Sequence, residues 1–122
     1  MTNKESFFIN RLKSIGYAFK GALFLIKTES SIQVQVCIGL VMTGIGYVVG
    51  LSSTEWIAQT LTIGIIIAIE GLNTAIEEVA NFIHPEHHPK IGLIKDLAAG
   101  AVFLFAIIAI IIGAIIYLPK LF

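Results

Sequence analysis

Long apolar runs separated by short polar breaks dominate this chain. They extend from about Ile32 to Gly50, from Trp56 to Ala80 and from Leu97 to Leu118. At ~1.5 Å per residue, each run is long enough to cross a hydrocarbon layer of ~30 Å as an α-helix. None alternates with the period of two that a transmembrane β-strand requires. The pattern predicts three membrane-spanning helices, over 32–50, 56–80 and 97–118. Together they form one domain over residues 1–122 and leave no room for a separate soluble one.

The segment before the first run behaves differently. Phe7, Phe8, Leu12, Ile15, Phe19, Leu23 and Ile26 recur at helical spacing, while Lys13, Lys20 and Lys27 fall seven residues apart on one stripe. An apolar face beside a basic stripe predicts an amphipathic helix over 5–27, lying in the membrane interface. Its Arg11, Lys13 and Lys20 would neighbour lipid or nucleotide phosphates. The predicted fold is therefore an all-α integral membrane protein, with a surface helix and three spans.

Composition agrees with this reading. Of 122 residues, 57% are hydrophobic and 13% charged, and mean hydropathy is +0.91. A soluble domain carries about a quarter charged residues. Eight basic and eight acidic residues cancel, so no overall field points to nucleic acid. Cys37 is the only cysteine, which excludes an intrachain disulfide, and its apolar setting suits an inert thiol. No cleavable signal sequence is evident, so the first span is expected to act as its own insertion signal.

Charge placement sets the orientation. Lys4, Arg11, Lys13, Lys20 and Lys27 precede the first span, and Lys90 and Lys95 follow the second; the opposite side has Lys120. That bias predicts a cytoplasmic N-terminus and a cytoplasmic 81–96 loop. Trp56 and Tyr117 would then sit in the opposite interface as aromatic anchors. Gly46-x-x-x-Gly50 and Ala98-Ala99-Gly100-Ala101 present small residues suited to close helix packing.

The second run carries the candidate chemistry. Glu70, Asn73, Thr74 and Glu77 are spaced i, i+3, i+4 and i+7, which puts them on one polar face of an apolar helix. Counted from Trp56, Glu70 lies ~21 Å along and Glu77 ~10 Å further. Glu77 would be near the cytoplasmic boundary and Glu70 about two turns deeper. An ionisable group at depth costs several kcal/mol, so it must face a partner or a cavity. Desolvation there would suit Glu70 to the role of general base. Glu29 and Asp96 immediately precede the other two spans and reach the same boundary, with Lys95 beside them. A few carboxylates with room for substrate phosphates suit Mg²⁺. Glu78 points off the polar face, and Glu55 reads as solvated. A structural alternative is that the polar face only binds helices together.

Other polar residues are less decisive. His84 and His88 are four apart, but Pro85 and Pro89 oppose a regular helix that would present them together. Gln33 and Gln35 would either line a headgroup pocket or simply occupy the interface. No GxxxxGK[ST] loop or protein-kinase motif is present, so any phosphoryl transfer needs a site made of membrane helices.

Glu70-Gly71-Leu72-Asn73-Thr74-Ala75-Ile76-Glu77, followed eighteen residues on by Lys95-Asp96-Leu97-Ala98-Ala99, resembles the prokaryotic diacylglycerol kinase family, which includes undecaprenol kinases. Gly16-Tyr17-Ala18-Phe19-Lys20-Gly21 and Thr28-Glu29 fit the same pattern. The resemblance implies a homotrimer in the bacterial inner membrane, its sites shared between subunits, that transfers the γ-phosphate of Mg-ATP to a lipid hydroxyl. It implies Glu70 as proton acceptor and Glu29 and Glu77 as metal ligands. Tyr17, Glu29, Glu77, Glu86, His87, His88, Lys95 and Asp96 would contact nucleotide, and Glu70, Asn73 and Ala99 lipid.

The first expectation for the substrate is diacylglycerol, giving phosphatidic acid. The alternative is undecaprenol, and a non-catalytic scaffold or small transporter is the reading from another class. Asn81 stands where the family commonly has an aspartate, Asn10 lies near a usual arginine, and Ser30 to Gln35 depart from typical members. These differences leave the lipid open.

Overall fold

The computed structural model describes residues 6–122; Lys4 and Glu5, which figure in the predicted charge bias and surface helix, lie outside them. Four helices follow one another: α1 (Phe7–Thr28), α2 (Ser30–Val49), α3 (Ser53–Ile83) and α4 (Pro89–Leu121). The apolar runs are helical as expected, but α3 and α4 outlast them. The stretch 89–96, expected to be loop, forms the first two turns of α4. Pro89 explains this, because proline at the first helical position loses no hydrogen bond and has its φ already set.

Local chemistry sets the helix ends. Ser6 caps α1 by accepting from the Ile9 N–H at 3.2 Å. At Glu29 the backbone turns extended (φ −98°, ψ 115°), which separates α1 from α2 by a single residue. The Gln33 side-chain amide donates to the Ile26 and Lys27 carbonyls at 3.0 and 3.1 Å, satisfying acceptors that α1 leaves open. Gln33 is thus a clasp across the break. Gly50 ends α2 in the left-handed region (φ +74°), which favours glycine. Ser52 and Glu55 open α3 with a reciprocal capping box.

The two glycines of Gly46-x-x-x-Gly50 therefore serve different ends. Gly46 is buried beneath Leu51 and Trp56, whose nearest atoms would stand 2.8 and 2.9 Å from an added Cβ. Gly50 makes the turn. Gly100 has nothing within 4 Å of the corresponding position.

Helix α3 packs against both α2 and α4, and the end of α1 lies against α2. The buried apolar core is small: Ile32, Leu51, Ile66, Ala80 and Ile116. Large apolar side chains such as Leu40, Phe103 and Ile110 are exposed. A soluble monomer rarely shows so much apolar surface. Helices α2 and α4 are long and apolar enough to cross a membrane, and the molecule fits a helical membrane protein.

A polar cluster joins α2, α3 and α4 near the Trp56 end. Gln59, 5% exposed, donates to the Met42 carbonyl at 3.1 Å and accepts from the Tyr117 hydroxyl. Tyr117 thus turns its hydroxyl inward, to Gln59 and, at 3.4 Å, to the Met42 carbonyl. Satisfying Gln59 outweighs reaching water, because a buried amide without partners costs a few kcal/mol. Trp56 packs edge-on against Tyr47 with centroids 5.3 Å apart. Beyond it, Lys120 pairs with Glu55 at 2.9 Å.

Gly39→Leu should lower the melting temperature in detergent, because Ile63 Cγ2 would stand 2.7 Å from the new Cβ. Overpacking of this kind costs about 1–3 kcal/mol. Gly44→Ala, whose methyl meets nothing within 4 Å, should not lower it. The Ser52 backbone N–H, followed by Lys120, holds the Glu55 carboxyl below the usual carboxylate range. A depressed value in the folded state stabilises above the ordinary glutamate range, and that contribution is lost as pH falls through the depressed value. Glu55→Gln should therefore melt below the wild type at neutral pH. The gap should close as pH drops below about 4.

Candidate functional site

The polar face of α3 forms as its spacing predicts. Glu70 and Thr74 are buried, and Asn73 and Glu77 are half-buried. Glu70 is 8% exposed. Thr74 spends its hydroxyl on the Glu70 main-chain carbonyl, at 3.2 Å, and leaves the carboxylate alone. The Asn73 side-chain oxygen is enclosed without a hydrogen-bond donor. A carboxylate and an enclosed acceptor on one face need donors that these helices do not supply.

The end of α1 approaches α3 at Gly71, which flanks this face. Leu25 Cδ1 stands 3.1 Å from where a Cβ on Gly71 would lie, so the missing side chain admits α1 beside Glu70. One turn after Leu25 comes Glu29, half-buried at the α1–α2 break, with its N–H bonded to the Leu25 carbonyl at 3.0 Å. The break that Gln33 clasps therefore carries Glu29. Gln35 instead lines a cleft of ≈ 410 Å³ between α2, α3 and α4.

At the other end of the polar face, the Lys95 ammonium reaches back from α4 and donates to Asn81 Oδ1 at 2.6 Å. Asn81 lies four residues beyond Glu77 and shares its side of α3. Asp96 is exposed, about 100° around α4 from Lys95. Among the described residues, no three His, Cys, Asp or Glu side chains are gathered so as to hold a metal. Glu29 and Glu77 still suit magnesium by donor type, being half-buried oxygen ligands that could share a hard cation with phosphates.

Tyr17 is exposed on α1, Ala99 on α4, and Glu86 and His87 in the 84–88 loop. His88 caps α4, accepting from the Lys90 N–H at 3.1 Å. His84 and His88 meet with ring centroids 5.2 Å apart. The prolines prevent a helix there but not this contact. The turn folds back because the His84 ring nitrogen bonds the Glu86 carbonyl at 2.8 Å. Two features escaped the sequence reading: the clasp at Gln33 and the Asn81–Lys95 bond. A glutamine five residues past a helix end was the one visible signal, for the first.

Residues 16–117 match the sequence profile described as prokaryotic diacylglycerol kinase. An undecaprenol kinase of Bacillus subtilis (strain 168) is 41% identical over 114 residues, 93% of each chain. A diacylglycerol kinase of Synechocystis is 31% identical over 113 residues, which cover 92% of this chain and 65% of that protein. A diacylglycerol kinase of Escherichia coli (strain K12) is 26% identical over 116 residues, 95% of each chain.

Proposed function

The chain belongs to the prokaryotic diacylglycerol kinase family and is a lipid kinase, and from that premise we propose that it transfers the γ-phosphate of ATP to undecaprenol. The observation that carries the catalytic reading is Glu70, a buried carboxylate on one face with Asn73 and Glu77. Glu70 takes the proton of the lipid hydroxyl. The hydroxyl oxygen then bonds to the γ-phosphorus as the bond to the β-phosphate oxygen breaks, and ADP departs.

Glu29 and Glu77 would hold Mg²⁺, which would neutralise phosphate charge when bound. Lys95 adds a further positive charge, and positioning with electrostatics carries most of the rate, as in other phosphoryl transfers. Tyr17, Glu86, His87, His88 and Asp96 contact the nucleotide. Asn73 and Ala99 border the lipid.

The substrate preference rests on the 41% identity to an undecaprenol kinase across nearly the whole of both chains. This departs from diacylglycerol, the first expectation. Diacylglycerol remains the second reading, favoured by the relatives at 31% and 26% identity.

The arrangement proposed is one domain with α1 in the cytoplasmic interface of the bacterial inner membrane and α2, α3 and α4 crossing it. The N-terminus and the 84–88 loop are cytoplasmic. Three copies assemble with shared sites. The absence of a three-ligand metal group among the described residues, and the extensive exposed apolar surface, are both in keeping with a site completed by a neighbouring copy.

Purified protein given radiolabelled ATP should phosphorylate undecaprenol with a kcat/KM at least roughly tenfold above that for diacylglycerol, a margin worth about 1.4 kcal/mol. The reverse preference would transfer the assignment to diacylglycerol, and no product from either lipid would leave the scaffold reading. Glu70→Gln should lower turnover by about 10²–10⁴-fold, the usual contribution of a general base. Its nucleotide affinity should stay close to that of the wild type. A variant with normal turnover would remove Glu70 from proton transfer.

A further inference from the structure

The Lys95 side chain crosses from the second turn of α4 to the last turns of α3, where its ammonium donates to Asn81 Oδ1 at 2.6 Å. Asn81 follows Glu77 by one turn on the same side of α3, so the bond brings the lysine to the cytoplasmic continuation of the polar face. The ion pair seen among the described residues is Glu55–Lys120, at the opposite end of α3. Lys95 thus meets a neutral acceptor.

A lysine has four rotatable bonds and carries about 2 kcal/mol of rotamer entropy. An untethered ammonium at a helix surface would be spread over many positions. A carboxylate partner would hold it but offset its charge. An amide oxygen holds it and leaves the whole charge available to an anion.

We propose that Asn81 is a positioning residue: it fixes the Lys95 ammonium beside Glu77 while leaving its charge free for the nucleotide's phosphates. This rests on Lys95 as a nucleotide contact in the reading above. Asn81 acts through Lys95 and itself touches neither substrate.

The test is binding of Mg²⁺ with β,γ-methylene-ATP to the full chain in nanodiscs. It compares wild type, Asn81→Leu, Lys95→Met, the double variant and Asn81→Asp, with melting temperature as a folding control. Asn81→Ala replaces the leucine variant if leucine lowers the melting temperature. Loss of the acceptor should weaken binding about five- to tenfold, in the range of an ordinary hydrogen bond because the effect is relayed through Lys95. The KM for lipid should be unchanged. In the Lys95→Met background the same substitution should have no further effect, because residues acting through one another are not additive. Asn81→Asp, which keeps the acceptor but offsets the ammonium's charge, should also weaken binding, and wild-type affinity in that variant would overturn the claim that the charge is left free for the phosphates. Wild-type affinity in the Asn81→Leu variant, or additive losses in the double variant, would overturn the proposal while Lys95→Met still weakened binding. Unchanged binding in Lys95→Met would instead sink the assignment of Lys95 to the nucleotide, and this inference with it.

Discussion

A carboxylate held away from bulk water must find compensation, and Glu70 places that demand on the rest of the molecule. It sits on the packed side of α3, where desolvating a charge costs several kcal/mol unless a partner answers it. The neighbouring groups do not. Thr74 bonds to backbone, and Asn73 holds an enclosed acceptor. The proposed mechanism would use this imbalance, because a substrate hydroxyl would be both the missing donor and the proton source. Helix α3 is thus left locally unsatisfied where chemistry is proposed.

The surrounding elements make that arrangement tolerable. At the Trp56 end, Gln59, Tyr117 and the Met42 carbonyl satisfy one another across three helices. Glu55 and Ser52 close the start of α3. At the opposite end, Gln33 spans the α1–α2 break and so fixes where Glu29 emerges. The polar groups at these two ends are thus paired within the chain, whereas the Asn73 side-chain oxygen on the face is not. Such a division concentrates polar cost where binding can return it.

The core of one copy is small, and most large apolar side chains lie outside it. Lipid accounts for much of that surface, since bilayer helices gain nothing by hiding apolar groups from hydrocarbon. The scarcity of metal ligands around a single point among the described residues has a different implication. Glu29 and Glu77 are carried by separate elements, and a site built from them gains from a neighbouring copy that adds charge and excludes water. In the proposed trimer, assembly and catalysis would draw on the same interface.

The four helices and the polar face of α3 were legible in the sequence because both follow from periodicity. Apolar run lengths specify helices, and a spacing of three and four puts Glu70, Asn73, Thr74 and Glu77 together whatever α3 packs against. The signature around Glu70 and Lys95 was likewise enough to indicate the family. Contacts between elements were a different matter. The inward turn of Tyr117, the clasp at Gln33, the meeting of His84 with His88 and the Asn81–Lys95 bond all depend on how segments are rotated and joined. Local pattern carries no record of that rotation. Even the start of α4 at Pro89 depended on a loop that could close in five residues, 84–88. Tertiary packing decides these points because a hydrogen bond requires two atoms within about 3 Å, and only the assembled bundle sets such distances.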